Sequence, residues 1–286
     1  MKHYTMNLSE SQLNQLKNGY SSFIKASDSE AVFFIAEHNQ TTITALKNGK
    51  VTIEGIEINN ELVLIKNFLN IKDYEAVGSS DAGSLDVFGP VVICSTYVSL
   101  EDIAFLETLD IGIQRTISMK KIVEIAPIIA KRLTHSIVIL KPFKYNELSK
   151  NGFNMNKIKS LLNNHMIIKT TAKIDKTIPV ILEQYCNPNN YFNYLKEEKL
   201  VYRDIEFSEK SETPHISVLV SSIIAKYAYL VEMHRLSKKL NLKLKLGATK
   251  DVDEQILEVV NTHGSKVLIE VAKCNFKNIT KQNIEF

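Results

Sequence analysis

Apolar positions in the first 70 residues change period from one short segment to the next, which predicts a small α+β domain. After a short first strand, Ser9-Glu10-Ser11-Gln12 has the form of a capping box, and Leu13, Leu16 and Tyr20 follow on one side of a helix. Residues 31–36 are apolar and rich in strand formers. Two further strands, 41–46 and 50–56, flank Asn48-Gly49, a pair favoured by the two-residue hairpin turn because both positions need positive φ. Leu62, Ile65 and Leu69 mark a second helix. Residues 1–70 thus read as a binding or docking module, or as a piece that only buttresses its neighbour. The polar stretch 67–74 is the expected boundary, and without a Pro/Gly linker the two domains are expected to pack together.

Residues 71–286 alternate between the two periods. Strands are expected at 74–79, 91–99, 135–140, 179–185 and 201–207, and helices at 120–131, 155–168, 215–240, 252–262 and 265–272. Interleaving of this kind implies a sheet with helices packed on its faces. No internal repeat or low-complexity tract interrupts it.

Composition narrows the classes. The 286 residues are 44% hydrophobic, enough for a sizeable core, and the net charge of +3 does not announce a nucleic-acid binder. Cys94, Cys186 and Cys274 are far apart and form no C-x-x-C pair, which argues for a reducing compartment and against structural zinc. No signal-peptide core and no apolar run of membrane-spanning length is read, so a cytoplasmic protein without membrane contact is expected.

Candidate chemistry centres on residues 77–90, V-G-S-S-D-A-G-S-L-D-V-F-G-P, read as a strand–loop–strand crossing with its acids in the loop. Glycines let a backbone approach a ligand, and carboxylates at a strand end suit Mg²⁺. Glu183 ends the apolar run 179–182 and Glu212 precedes the long helix, so Asp81, Glu183 and Glu212 form a set of acids at element ends. Basic residues gather late, at Arg235, Lys238, Lys239, Lys243, Lys245 and Lys250, and at Lys266, Lys273, Lys277 and Lys281. They read as a phosphate-binding face or as the solvated side of a helical tail.

Residues 77–98 resemble the metal-site loop and second strand of the type 2 ribonuclease H family, in its ribonuclease HIII branch. The similarity continues through 144–148, 152–157, 183–185, 210–212, 222–226, 247–249, 272–273 and 276–278. Residues 44–55 resemble the TATA-binding-protein-like domain of that branch. The resemblance implies an α/β fold, a ribonuclease H-like mixed sheet flanked by helices, behind a small α+β TATA-binding-protein-like domain. It further implies a monomeric endonuclease that cuts the RNA strand of RNA–DNA hybrids with Mg²⁺ or Mn²⁺, two ions held by four carboxylates.

The match to those carboxylates is uneven. The family's first aspartate falls on Ser80, its neighbouring glutamate on Asp81, and its third acid, an aspartate, on Glu183; Glu212 keeps its type. The implied metal and catalytic residues are therefore Asp81, Glu183 and Glu212, with Asp86 as an additional candidate. The implied nucleic-acid contacts are Gly83, Ser84 and Leu85, where the family carries Gly-x-Gly to read the ribose 2′-OH. A further phosphate-contact segment corresponds to Arg115-Thr116-Ile117, and a family histidine to Asn275. Two functions stay open: a diverged hybrid endonuclease, and a catalytically silent relative that binds hybrid or other nucleic acid.

Overall fold

The computed structural model describes residues 2–56, 58–71, 73–109, 111, 117–209 and 214–285. The chain divides into a unit of residues 1–75 and a unit of residues 76–286.

The first unit runs β1 (Lys2–Asn7), α1 (Glu10–Gly19), β2 (Ile24–Lys25), β3 (Val32–His38), β4 (Thr41–Leu46), β5 (Lys50–Gly55) and α2 (Asn59–Phe68). The capping box forms at Ser9 and Gln12, and Leu13 and Leu16 are buried. The sheet is antiparallel, in the order β1-β5-β4-β3-β2. Along β4 and β5, Ile43, Ala45, Val51 and Ile53 are buried, while the alternating Thr42, Thr44 and Thr52 are partly open. Asn48-Gly49 does not make the expected two-residue turn. Ala45 pairs with Val51, and only Gly49 has positive φ, at +94°, within a three-residue connection. The tight turn lies one hairpin earlier, where Asn39 and Gln40 take φ of +47° and +58° between the paired His38 and Thr41.

The second unit runs β6 (Ala76–Ala82), β7 (Val91–Val98), α3 (Leu100–Thr108), α4 (Met119–Arg132), β8 (His135–Leu140), α5 (Pro142–Lys150) and α6 (Met155–Thr171). It continues through β9 (Val180–Glu183), α7 (Pro188–Tyr194), β10 (Glu206–Ser208), α8 (Ile216–Leu240), α9 (Lys250–His263), α10 (Leu268–Val271) and α11 (Lys277–Thr280). Its mixed sheet has the order β10-β9-β6-β7-β8, parallel from β10 to β6 and antiparallel from β6 to β8. Helix α8 packs on one face across β6 and β7, and α6 on the other.

Helix α8 corrects the expectation about apolar length. Its 25 residues are long and apolar enough to cross a bilayer by length and composition, and 61% of its most apolar window is buried inside the protein. A core helix covered on most sides is apolar nearly all round, which is why it meets the same criterion.

Two other expectations change. Residues 201–205 are irregular, so the edge strand is shorter than expected. Strand β6 extends to Ala82, which places Ser80 and Asp81 inside a central strand instead of a loop.

Candidate active site

Ser80 and Asp81 lie at the C-terminal end of β6, and Glu183 at the C-terminal end of its parallel neighbour β9. The register, Ser79 opposite Leu182, brings residue 80 beside residue 183. There the Ser80 hydroxyl donates to Glu183 Oε2 at 2.7 Å. Asp81 Oδ1 lies 2.6 Å from Lys159 Nζ, which sits 3.9 Å from the ring centre of Tyr185.

The polar face of α6 holds this arrangement. Asn163 accepts from the Ser79 hydroxyl at 2.7 Å and donates to the Lys159 carbonyl at 2.9 Å, while the Ser160 and Tyr185 hydroxyls are 3.0 Å apart. Burial pushes the Tyr185 phenol far up, and only partly does the Ser160 bond offset it, so the hydroxyl keeps its proton.

The loop from Gly83 to Pro90 is tied down from behind. Gly83 has φ of +79°, and a Cβ there would stand 2.3 Å from the Pro90 carbonyl oxygen. Asp86 accepts from the Gly247 amide at 2.5 Å, and Val87 and Gly89 donate to the carbonyls of Gly247 and Val271. Asp86 therefore anchors the loop, although it also lines the cavity in front of the acids.

Lys273 donates to the Gly89 carbonyl at 2.7 Å from a fully buried position, so it is not part of a phosphate-binding face. Burial pulls its pKa from the usual 10.5 to about 7, against the opposing pull of Asp86. Because the folded value lies below the unfolded one, the unfolded chain binds more protons between about pH 7 and 10.5, and stability rises with pH through that window. Below about pH 7 both states are protonated and this contribution is flat. Melting curves of the wild type should therefore shift upward between pH 7 and 9 by more than those of Lys273→Met; parallel curves would show that Lys273 is not the group responsible.

Two cavities meet at the loop. One, of about 320 Å³, is lined by Ser80, Asp81, Asp86, Glu183 and Lys226 among others. The second, of about 590 Å³, is lined by Asn156, Lys159, Tyr185 and Cys186, and Ser84 and Leu85 border both. Leu85 is 74% exposed where they join, whereas Ser84 is buried.

The structure thus brings Ser80, Asp81 and Glu183 together. Glu212 lies outside the described residues, as do Arg115 and Thr116. Asn275 accepts from Tyr145 at 3.0 Å and serves packing around α5. Of the late basic residues, Arg235, Lys239, Lys245 and Lys281 lie in ion pairs with acids, which reduces the charge available to phosphate. Sequence reasoning missed Lys159. The available signal was its place with Ser160, Asn163 and Asn164, four polar residues at helical spacing in one amphipathic segment.

Among the described residues no three His, Cys, Asp or Glu side chains gather as a metal site. Two carboxylates, Asp81 and Glu183, line one cavity together with the Ser80 hydroxyl. Mg²⁺ is commonly held by one or two carboxylates completed by substrate phosphate oxygens, so Asp81 and Glu183 fit one such ion. Position 80, which corresponds to the family's first aspartate, supplies a neutral hydroxyl and adds no charge to hold an ion.

The sequence model of the family described as ribonuclease HII matches residues 77–279, and that of a domain of unknown function matches residues 3–61. The chain is 45% identical to the ribonuclease HIII of Phytoplasma mali over the full length of both. It is 31% identical to that of a Geobacillus species, covering 98% of each. The crystal structure of Bst-RNase HIII in complex with Mn²⁺ superposes with a TM-score of 0.70 at 26% identity, covering 98% of this chain and 97% of the other. This chain belongs to the ribonuclease HII family. Its full-length relatives lie in the ribonuclease HIII branch.

Proposed function

We propose that this chain is an endonuclease that hydrolyses the RNA strand of RNA–DNA hybrids in the cytoplasm, with one Mg²⁺ or Mn²⁺ at Asp81 and Glu183. The observation that carries the reading is the pairing of these two carboxylates at adjacent strand ends in one cavity. When bound, the ion supplies positive charge that activates water and stabilises the leaving oxygen. Glu183 is oriented by the Ser80 hydroxyl, Asp81 is held by Lys159, and Glu212 is assigned as the further acid. Residues 1–70 serve as the substrate-binding domain, with the partly open threonine face of β4 and β5 as its contact surface.

Leu85 stands where the family's second loop glycine lies and crowds the approach of the ribose 2′-OH. Leu85→Gly should raise kcat/KM for hybrid by roughly tenfold, since catalytic geometry is sensitive to displacements of about 1 Å. An unchanged value would place Leu85 outside the path of the RNA strand.

A second reading, hybrid binding without chemistry, is favoured by the partners already on both carboxylates, Lys159 on Asp81 and Ser80 on Glu183. An end-labelled RNA–DNA hybrid and a matching DNA duplex, incubated with the purified chain in Mg²⁺ or Mn²⁺, separate the two. Metal-dependent cuts in the RNA strand, lost in Glu212→Ala, support the endonuclease. Salt-sensitive retention of uncut hybrid supports the silent binder.

A further inference from the structure

Lys159 is 4% exposed, and a lysine is rarely so buried without a partner. Its partner is Asp81 at 2.6 Å, and the face of Tyr185 covers the ammonium from another side. Two features distinguish this from a structural ion pair. Asp81 is one of the acids lining the cavity with Ser80 and Glu183, and Lys159 lines the adjoining cavity, so the ion pair joins the linings of both. Beside Glu183, position 80 carries a neutral hydroxyl where the family has its first aspartate, so one negative charge fewer is available to hold divalent ions.

We propose that Lys159 is a resident cation of the active site, standing beside Asp81 in place of a second divalent ion. The inference rests on the endonuclease reading and adds to it the source of the second positive charge. An ammonium needs no additional carboxylate. It has three N–H donors, of which Asp81 engages one, and the others can meet a phosphate oxygen of the RNA strand. Its charge also opposes a metal ion on Asp81. Removing it should therefore strengthen metal binding, the reverse of what loss of a merely structural support would do.

The test uses the full chain, stripped of metal and titrated with Mn²⁺ while free Mn²⁺ is read by electron paramagnetic resonance. The wild type should bind one Mn²⁺ per chain. Lys159→Met should bind it about tenfold more tightly, a change of the size expected for groups flanking metal ligands, and Lys159→Arg should behave as the wild type. Lys159→Gln, which keeps a donor to Asp81 without the charge, gives the same comparison if the methionine variant does not fold. Unchanged or weaker Mn²⁺ binding in a folded, uncharged variant overturns the proposal.

Cleavage of hybrid at saturating Mn²⁺ supplies the second readout. Lys159→Met should lose about 10²-fold in kcat with KM nearly unchanged. Faster cleavage would also overturn the proposal, because the ammonium would then obstruct the site. A wild type that binds one Mn²⁺ and cuts nothing sinks the endonuclease reading instead, and the Mn²⁺ affinities alone then decide the place of Lys159.

Discussion

Glu183→Ala should reduce cleavage of an RNA–DNA hybrid by about 10³-fold or more in kcat while leaving hybrid affinity nearly unchanged, because it removes charge that acts at the reacting phosphate. Two losses combine. One of the two described carboxylates able to hold a divalent ion disappears, and the Ser80 hydroxyl loses its acceptor at 2.7 Å. Glu183→Gln separates them, since an amide oxygen can still accept from Ser80 but carries no charge. If charge is what matters, the glutamine variant should be nearly as slow as the alanine variant. A glutamine variant close to wild-type speed would mean that Glu183 positions Ser80 and holds no metal. Single-turnover kinetics in Mn²⁺ with both variants decide this.

Gly78→Ala should be the most damaging small substitution in the second unit. Gly78 lies in β6 directly beneath the first turn of α8, and an added Cβ would stand 2.2 Å from the Ser217 carbonyl carbon and 2.3 Å from the Val218 nitrogen. Those are backbone atoms, which cannot rotate aside as a side chain could. The helix would have to lift, breaking the bond from the Ser221 hydroxyl to the Gly78 carbonyl at 3.0 Å. Overpacking of this kind costs about 3 kcal/mol or more. With a urea slope of about 2 kcal/mol/M, the midpoint of unfolding should fall by about 1.5 M. A shift below about 0.3 M would show that α8 can move away from the sheet at little cost.

Much of this architecture could be read from the chain, and what could not has a common cause. Helix α1 was legible because its capping box is local, and β8 because it carries a short apolar run rich in β-branched residues, Ile137 to Leu140. The short helices α5 and α7 went unread although Pro142 and Asn187-Pro188 stand at their starts, since too few apolar residues follow to show a period. The end of β6 is more instructive. Ser80-Asp81 reads as the start of a polar loop, yet it is central strand like Ser79 before it, because each of the three side chains finds a polar partner from a distant segment: Asn163 for Ser79, Glu183 for Ser80 and Lys159 for Asp81. Buried polar groups need such partners, and no local pattern reveals them.

The candidate site divided the same way. Asp81 and Glu183 were visible as acids at the ends of elements. The cation beside Asp81 was not, because it comes from the interior of a helix whose polar face turns toward the sheet. Sequence also placed Asp86 near the chemistry, where the structure gives it a second task in holding the loop through Gly247.

The most direct test of a working site with serine at position 80 is single-turnover cleavage of a hybrid, its RNA strand 5′-labelled, by chelator-treated protein as Mn²⁺ is added. The rate should rise from zero and saturate hyperbolically, as for one ion, and should vanish in Glu183→Ala. Hybrid that stays bound and uncut at every Mn²⁺ concentration would contradict the endonuclease assignment and leave this chain a binder of hybrids.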